Sequence, residues 1–87
     1  MPISKDLIIR ATTGLHFEPA ADFVDLSEKF SGEVTVSFDG KEANGKSMLH
    51  ILALGVTKDS TINLTLDGED QEEYMLKFEE FASTKYE

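Results

Sequence analysis

The chain has 87 residues, no cysteine, and a formal net charge of −9 from 8 basic and 17 acidic side chains. This length suits a single domain over residues 1–87 and excludes a two-domain enzyme. The lack of cysteine excludes disulfide frameworks, thiolate zinc sites and cysteine nucleophiles. Because the charge is strongly negative, nucleic acid and anionic membranes are poor partners, and proteins or small molecules are expected instead.

The beginning of the chain, MPISKDLIIR, has neither the basic start nor the long apolar run of a signal peptide. No stretch approaches the ~18 apolar residues of a membrane span. We therefore expect a cytoplasmic protein.

Near the start of the chain, Ile3–Ile9 is rich in β-branched residues and predicts a first strand, which ends before the polar, glycine-containing stretch Thr12-Thr13-Gly14.

A first helix is predicted from about Phe17, because apolar residues recur at helical spacing from there to Phe30. Pro19 is acceptable in a first helical turn, and Gly32 supplies the stop signal. Val34, Val36 and Phe38 then alternate with polar residues as a second strand. The pair Asp39-Gly40 is typical of a tight turn that leads into a third strand over Lys41–Asn44.

The second half of the chain predicts a helix, a strand and a final helix. Ser47 precedes the run MLHILAL and Gly55 follows it, which is the capping pattern of a short helix. Ile62, Leu64 and Leu66 alternate with polar residues as a fourth strand, and Met75, Phe78, Phe81 and Ala82 mark one face of the last helix. The order βαββαβα predicts an α+β fold, with a four-stranded antiparallel sheet and helices on one side.

Residues 40–47, GKEANGKS, match the G-x-x-x-x-G-K-[S/T] pattern of a phosphate-binding loop. In such a loop Lys46 would contact the β- and γ-phosphates and Ser47 would contact Mg²⁺. The pattern lacks its context, because Asp39-Gly40 is better explained as a hairpin turn and no long crossover helix is available for a parallel sheet. Nucleotide binding is therefore the least favoured interpretation.

His16 lies where a loop becomes the first helix. The backbone N–H groups of Phe17 and Glu18 would point out of that first turn, and together with the helix dipole they would favour a phosphoryl group on the imidazole. Imidazole is nucleophilic near neutral pH without a metal or a thiol. On local sequence alone, a histidine that merely caps the helix or lies in a surface loop is the simpler alternative.

Two segments resemble a known family. GLHFEPA is similar to the G-[L/I]-H-A-R-P-A signature of the HPr phosphocarrier proteins of the bacterial phosphoenolpyruvate-dependent sugar phosphotransferase system. GKSMLHILALG resembles the K-S-[I/L]-M-G-[I/V/L]-[M/L]-x-L-G helix of the same family, and Ser47 follows His16 by 31 positions, as it does there. The resemblance covers the whole chain and implies the open-faced β-sandwich of that family, with three helices on one face of the sheet.

The resemblance implies that His16 accepts a phosphoryl group on Nδ1 from phosphorylated Enzyme I and passes it to IIA domains of sugar permeases. Such a carrier is a substrate of transferases rather than an enzyme, and it needs no cofactor. The resemblance also implies that Ser47 is a target of an HPr serine kinase/phosphatase, and that a transcriptional regulator is a further partner. Phosphate on Ser47 would add about −1.5 to −2 charge at a helix N-terminus. Without modification, Ser47 is explained as an N-cap.

The chain departs from the family signature at two positions beside the histidine. Phe17 stands where the family has a small residue, and Glu18 stands where it has the arginine that binds phosphate. A carboxylate there repels a phosphohistidine, although an acidic residue also stabilises a first helical turn. Arg10, the only arginine, is a candidate for compensation. These departures keep open an alternative function as an HPr-like regulatory binding module with impaired phosphotransfer.

Partner docking in the family uses the ends of the first two helices, and here that surface would include Phe17, Met48, Leu49 and Leu52. Phe17 is either an exposed docking residue or is buried against its own helix. His50 is expected on the surface of the second helix. Because His16 and His50 are the only histidines and have no paired ligands at a known spacing, we expect no metal site. We expect a monomer.

Overall fold

The computed structural model describes residues 1–87. Along the chain its elements are β1 (Ile3–Ile8), α1 (Phe17–Lys29), β2 (Glu33–Phe38), β3 (Lys41–Asn44), α2 (Met48–Leu54), β4 (Thr61–Asp67) and α3 (Gln71–Ser83). The predicted order βαββαβα is confirmed. Helix α1 ends one residue before Phe30, which is its C-cap, and β1 ends one residue before Ile9.

The four strands form one sheet in the order β1-β4-β2-β3, and all neighbouring pairs are antiparallel. Strand β4 lies in the middle of the sheet, with Leu7 of β1 opposite Ile62 and Val36 of β2 opposite Leu64. Alternate residues of β2 and β4 are buried. They pack with the apolar faces of the helices into one core of 20 residues. The α+β fold and the open-faced sandwich are confirmed.

The other face of the sheet carries hydroxyl and amide side chains that bond to one another. Ser4 Oγ lies 2.7 Å from Thr65 Oγ1, and Asn63 Nδ2 donates to Asp6 Oδ1 at 3.0 Å. Because these cross-strand pairs satisfy each other and water, this face needs no cover by a helix. No helix of the protein is long and apolar enough to span a bilayer.

The turns carry the backbone conformations that their residues favour. Asp39 and Gly40 both have positive φ, 51° and 77°, which is the primed turn that suits a two-residue hairpin. Gly55 caps the end of α2 in the left-handed conformation, as predicted. Gly32, in contrast, does not stop α1 by a left-handed turn. It lies so close to the Asp67 carbonyl and Gly68 that a β-carbon would overlap their backbone atoms.

Candidate functional site at the start of helix α1

The loop before α1 is held firmly to the body of the protein. Leu15 is fully buried, and its N–H donates to the Val56 carbonyl oxygen at 3.1 Å. Gly14 has a φ of 66°, and a β-carbon at this position would overlap the backbone of Val56 and Thr57. Only glycine therefore lets the loop approach the 56–57 segment this closely. The residue that follows, His16, starts from a fixed backbone.

His16 is the N-cap residue of α1, with extended backbone angles of φ −134° and ψ 160°, and its side chain makes no capping hydrogen bond. The half-buried imidazole instead places Nδ1 3.3 Å from the Thr13 carbonyl oxygen, while Thr13 Oγ1 donates to the His16 carbonyl at 3.2 Å. His16 therefore occupies the N-cap position, as the simpler alternative expects, but its side chain does not bond to the first turn of the helix. The N–H groups of the first turn, those of Phe17 and Glu18, are left for another acceptor.

Phe17 opens α1 in an unusual conformation. Its φ is 58°, in the left-handed region that bulky residues rarely adopt, and its side chain is 80% exposed. Such a conformation costs on the order of 1–3 kcal/mol, so the surrounding contacts of the loop and helix must impose it. The open question about Phe17 is resolved, because the ring points away from the core into solvent.

Two exposed acidic residues, Glu18 and Asp22, follow Phe17 on α1. Glu18 is exposed and forms no ion pair, whereas Asp22 accepts a hydrogen bond from the Tyr86 hydroxyl at 2.7 Å. The pKa of the Tyr86 phenol is raised well above its usual range, first by burial, then by the bond to Asp22 and by the negative charges of Asp22 and Glu18. Both carboxylates therefore face the C-terminal tail at the same end of the molecule.

Arg10 is engaged elsewhere. Its Nε lies 2.8 Å from Asp59 Oδ1, in the loop that precedes β4. For Arg10 to contact a phosphoryl group on His16, this exposed ion pair would first have to open. Arg10 is therefore paired with Asp59, whereas the sequence suggested that it could compensate for the arginine that Glu18 replaces beside His16.

Ser47 is the N-cap of α2, as predicted, and its Oγ accepts a hydrogen bond from the His50 N–H at 3.3 Å. The preceding turn is closed by two further bonds, from Lys46 N to Asn44 Oδ1 at 2.9 Å and from Asn44 N to His50 Nδ1 at 3.3 Å. His50 is exposed, as expected, but it also braces this turn from the first turn of α2. Ser47, which is half-buried, thus lies at a corner held by three hydrogen bonds that involve side chains.

The GKEANGKS segment does not form one loop around a phosphate. Gly40 belongs to the β2–β3 turn, and the next four residues are strand β3. Gly45 is buried, with no room for a β-carbon beside Val34 and Ser27, so its backbone faces the core rather than a ligand. The segment matches the phosphate-binding-loop pattern only because a hairpin turn and a short strand are followed by a capped helix.

Four apolar side chains on α1 and α2 are exposed. Seven large hydrophobic residues are exposed in the whole protein, and four of them belong to these two helices, which pack against each other. We call these four the docking patch: Phe17 at 80% exposure, Leu49 at 80%, Leu52 at 38% and Met48 at 36%. Exposed apolar groups concentrated on adjacent elements are typical of a protein-binding surface.

Sequence reasoning missed the part that the C-terminal tail contributes. Thr12 donates to the Lys85 carbonyl oxygen from both its N–H and its Oγ1, each at 3.0 Å, and Tyr86 reaches Asp22. The tail thus contacts the chain on both sides of His16. No local pattern signals this arrangement, although an aromatic residue just beyond a predicted final helix is a weak hint.

A comparison with family models decides the family. The model described as the PTS HPr component phosphorylation site matches residues 3–84, which is nearly the whole chain. The chain belongs to the HPr family. HPr proteins are phosphocarriers of the bacterial phosphotransferase system and are not enzymes, in agreement with the prediction from the two sequence motifs.

Individual relatives agree. The phosphocarrier protein HPr of Haemophilus influenzae is 41% identical over 70 residues, covering 80% of this chain and 82% of that protein. The HPr-like protein Crh of Halalkalibacterium halodurans is 36% identical over 73 residues, covering 84% and 87%. A crystal structure of HPr from Thermoanaerobacter tengcongensis superposes with a TM-score of 0.91 at 34% identity and covers 97% of this chain and 94% of that one.

Proposed function

We propose that this HPr-family chain accepts a phosphoryl group on His16 from phosphorylated Enzyme I and passes it to IIA domains of sugar permeases. The observation that carries the proposal is the position of His16 at the N-terminus of α1, with no side-chain cap, ahead of the free N–H groups of Phe17 and Glu18. Those groups and the helix dipole favour a dianion beside the imidazole. The chain acts as one domain over residues 1–87, as a monomer, in the cytoplasm.

In the transfer step, an imidazole nitrogen of His16 forms a bond to phosphorus while the bond between phosphorus and the Enzyme I donor breaks, and its electron pair stays with the donor. Family resemblance assigns the phosphoryl group to Nδ1, the nitrogen that lies 3.3 Å from the Thr13 carbonyl oxygen. Nδ1 must be unprotonated to attack, so the proton has to reside on Nε2 or leave the ring. The ring must also turn away from Thr13 to make room for the phosphoryl group.

Regulation by phosphorylation of Ser47 is the second half of this proposal. Ser47 is half-buried as the N-cap of α2, next to Met48 and Leu49 of the docking patch. A phosphate there would add about −1.5 to −2 charge at the edge of that patch, which disfavours an acidic partner surface and favours a basic one. The modifying enzyme would be an HPr serine kinase/phosphatase, and the phosphorylated form would recruit a transcriptional regulator.

A second candidate function is a regulatory binding module with impaired phosphotransfer. The specific observation in its favour is Glu18, whose unpaired carboxylate follows His16 by two residues and repels a phosphohistidine. In this alternative the docking patch and Ser47 bind a kinase or a transcriptional partner, and His16→Ala has little effect on that binding.

The experiment is phosphorylation by radiolabelled phosphoenolpyruvate and the Enzyme I encoded in the same genome. We expect an acid-labile phosphohistidine on the wild type, none on His16→Ala, and undiminished label on His50→Ala, which removes the other imidazole. No label on the wild type, or label that persists in His16→Ala, would sink the phosphocarrier proposal. A large gain of label in Glu18→Arg would favour the regulatory module.

A further inference from the structure

Residues 44–47 form the turn between β3 and α2, which we call the Ser47 turn, and its bonds converge on Asn44. The Asn44 carbonyl oxygen accepts from the Ser47 N–H at 3.0 Å, and Asn44 Oδ1 accepts from the Lys46 N–H at 2.9 Å. Asn44 is also the last residue of the edge strand β3, where it pairs with Thr35 of β2. The position of the Ser47 backbone therefore depends on how firmly Asn44 is held.

His50 of α2 holds Asn44 through its ring. His50 Nδ1 accepts from the Asn44 N–H at 3.3 Å, and the backbone N–H of His50 donates to Ser47 Oγ at 3.3 Å. An amide N–H can only donate, so Nδ1 must be unprotonated and the proton of the neutral ring must lie on Nε2. One residue thus binds both ends of the Ser47 turn, and the bond to Asn44 exists only while the imidazole is neutral.

The surroundings of His50 contain a carboxylate that can replace Asn44 as its partner. Two open clefts border His50, and Glu42 of β3 is the only other residue that lines both. Neither α1 nor the rest of α2 contributes a charged side chain to these clefts. The other charged residues that line them are Lys41, Lys46, Glu33 and Asp67. Glu42 is therefore the carboxylate that a positively charged His50 meets in both clefts.

Protonation of His50 exchanges one partner for the other. A proton on Nδ1 occupies the lone pair that accepts from Asn44, so that two N–H donors face each other. The imidazolium is attracted to the Glu42 carboxylate, while the positive charges of Lys41 and Lys46 oppose its formation. Histidine ordinarily changes its charge between about pH 5 and 8. The bond to Asn44 is therefore present at high pH and is lost as pH falls through this range.

We propose that His50 is a positioning residue for Ser47: its neutral imidazole fixes the Ser47 turn through Asn44, and its protonation loosens that turn by drawing the ring toward Glu42. The inference rests on the proposed function for the modification of Ser47, but the hydrogen bonds that it uses are independent of any kinase. Ser47 becomes a poorer kinase substrate as pH falls, because a hydroxyl on a loosened turn is less often in the reactive geometry.

The first test follows the amide proton of Asn44 by NMR between pH 8 and pH 5. In the wild type it should move upfield as pH falls, with the same midpoint as the ring protons of His50. In His50→Asn an amide oxygen takes the place of Nδ1 without titrating, so the Asn44 proton should keep its high-pH position. In His50→Ala it should hold the low-pH position throughout. His16→Ala removes the other imidazole and should behave as the wild type.

Two results of this titration overturn the proposal. One is an Asn44 proton that does not move while the His50 ring titrates, and the other is a movement that persists in His50→Ala. Thermal melts at both ends of the pH range verify that every variant is folded.

Glu42→Gln tests the second partner in the same spectra. Loss of this carboxylate makes the imidazolium less favourable, so the midpoint should fall by at least about 0.5 pH unit. Glu28→Gln is the matched control, because it makes the same charge change at an exposed site of α1 outside both clefts. It should lower the midpoint by less than about 0.2 pH unit. Equal shifts in the two variants would contradict the exchange of partners.

The second test measures kcat/KM for phosphorylation of Ser47 by the HPr serine kinase of the same genome. Dividing the wild-type value by that of His50→Asn at each pH removes the pH dependence of the kinase itself. The ratio should be near 1 at pH 8 and at least about threefold lower at pH 5.5. His50→Ala should be slower than His50→Asn at both pH values. A ratio that does not change with pH would show that His50 does not position Ser47.

The two tests distinguish this inference from the proposed function. If the kinase modifies Ser47 at no pH while the Asn44 proton titrates with His50, the pH-dependent turn stands and the proposed regulation fails. If the kinase modifies Ser47 but the Asn44 proton is insensitive to pH, the proposed regulation stands and the inference about His50 is wrong.

Discussion

Gly14 fixes the position of the loop that ends at His16, because its backbone packs directly against residues 56–57. We expect Gly14→Ala to destabilise the protein by about 3 kcal/mol or more. About 1–2 kcal/mol comes from the left-handed φ of 66°, and the rest from the overlap of the new β-carbon with the Val56 carbonyl. Urea unfolding followed by circular dichroism measures the change.

Gly40→Ala is the matched control for this prediction. Gly40 has a similar φ of 77°, but nothing lies within 4 Å of the position that a β-carbon would take. This variant should therefore cost only the conformational part, about 1–2 kcal/mol. Equal losses in the two variants would show that close packing at Gly14 contributes nothing.

Ser47 supports α2 through its hydroxyl, and its removal should cost about 0.5–1 kcal/mol. The estimate is at the low end of N-cap values because the bond to the His50 N–H is long, 3.3 Å. Ser47→Ala is compared by urea unfolding with Ser31→Ala, an exposed serine outside any cap. Ser47→Asp should be close to the wild type, since aspartate caps as well as serine. If Ser47→Ala unfolds like the Ser31 control, the cap is energetically irrelevant.

At the scale of elements, the C-terminal tail beyond α3 adds a pH-dependent contact. The raised pKa of Tyr86 means that the folded state keeps the phenol proton at pH values where the unfolded chain loses it. The stabilising contribution is therefore fully present below the ordinary phenol pKa of about 10 and declines as pH rises above it. Unfolding free energies at pH 8 to 11 should show the difference between wild type and Tyr86→Phe shrinking with pH. Asp22→Asn should flatten the same trend, and a trend in the opposite direction would contradict the assignment.

The elements differ in how well the sequence alone predicts them. The β2–β3 hairpin and the caps of α2 follow from Asp39-Gly40, Ser47 and Gly55, whose conformations are determined within a few residues. The role of Gly32 does not follow from its neighbours in sequence, because its constraint comes from Asp67, far along the chain. The exposure of the Phe17 ring is not decided by the local sequence, and the bond from Tyr86 to Asp22, two residues 64 positions apart, is not predicted by it at all. Contacts between distant segments leave no periodicity in the sequence, so only the motif residues of the site were foreseeable.

At the scale of the whole molecule, negative charge opposes compactness. The protein measures 32 × 24 × 19 Å, so the Debye length of about 30 Å in 0.01 M salt lets charges repel across its full width. We expect sodium chloride at about 0.1 M, where that length is about 10 Å, to stabilise the protein by up to about 1 kcal/mol, or about 4–8 °C in Tm. The doubly neutralised variant Glu28→Gln/Glu72→Gln should respond less. A fall in Tm with salt would mean that the four exposed ion pairs outweigh the repulsion.

The strand order determines when the sheet can form during synthesis on the ribosome. Strand β4 is the last strand to be synthesised, yet it lies between β1 and the β2–β3 hairpin and is the partner of both. Until Thr61–Asp67 has emerged, β1 has no partner and the hairpin cannot join it. The sheet must therefore assemble late, from contacts between distant parts of the chain, and a nascent chain that stops before β4 has two separate apolar pieces to protect from aggregation.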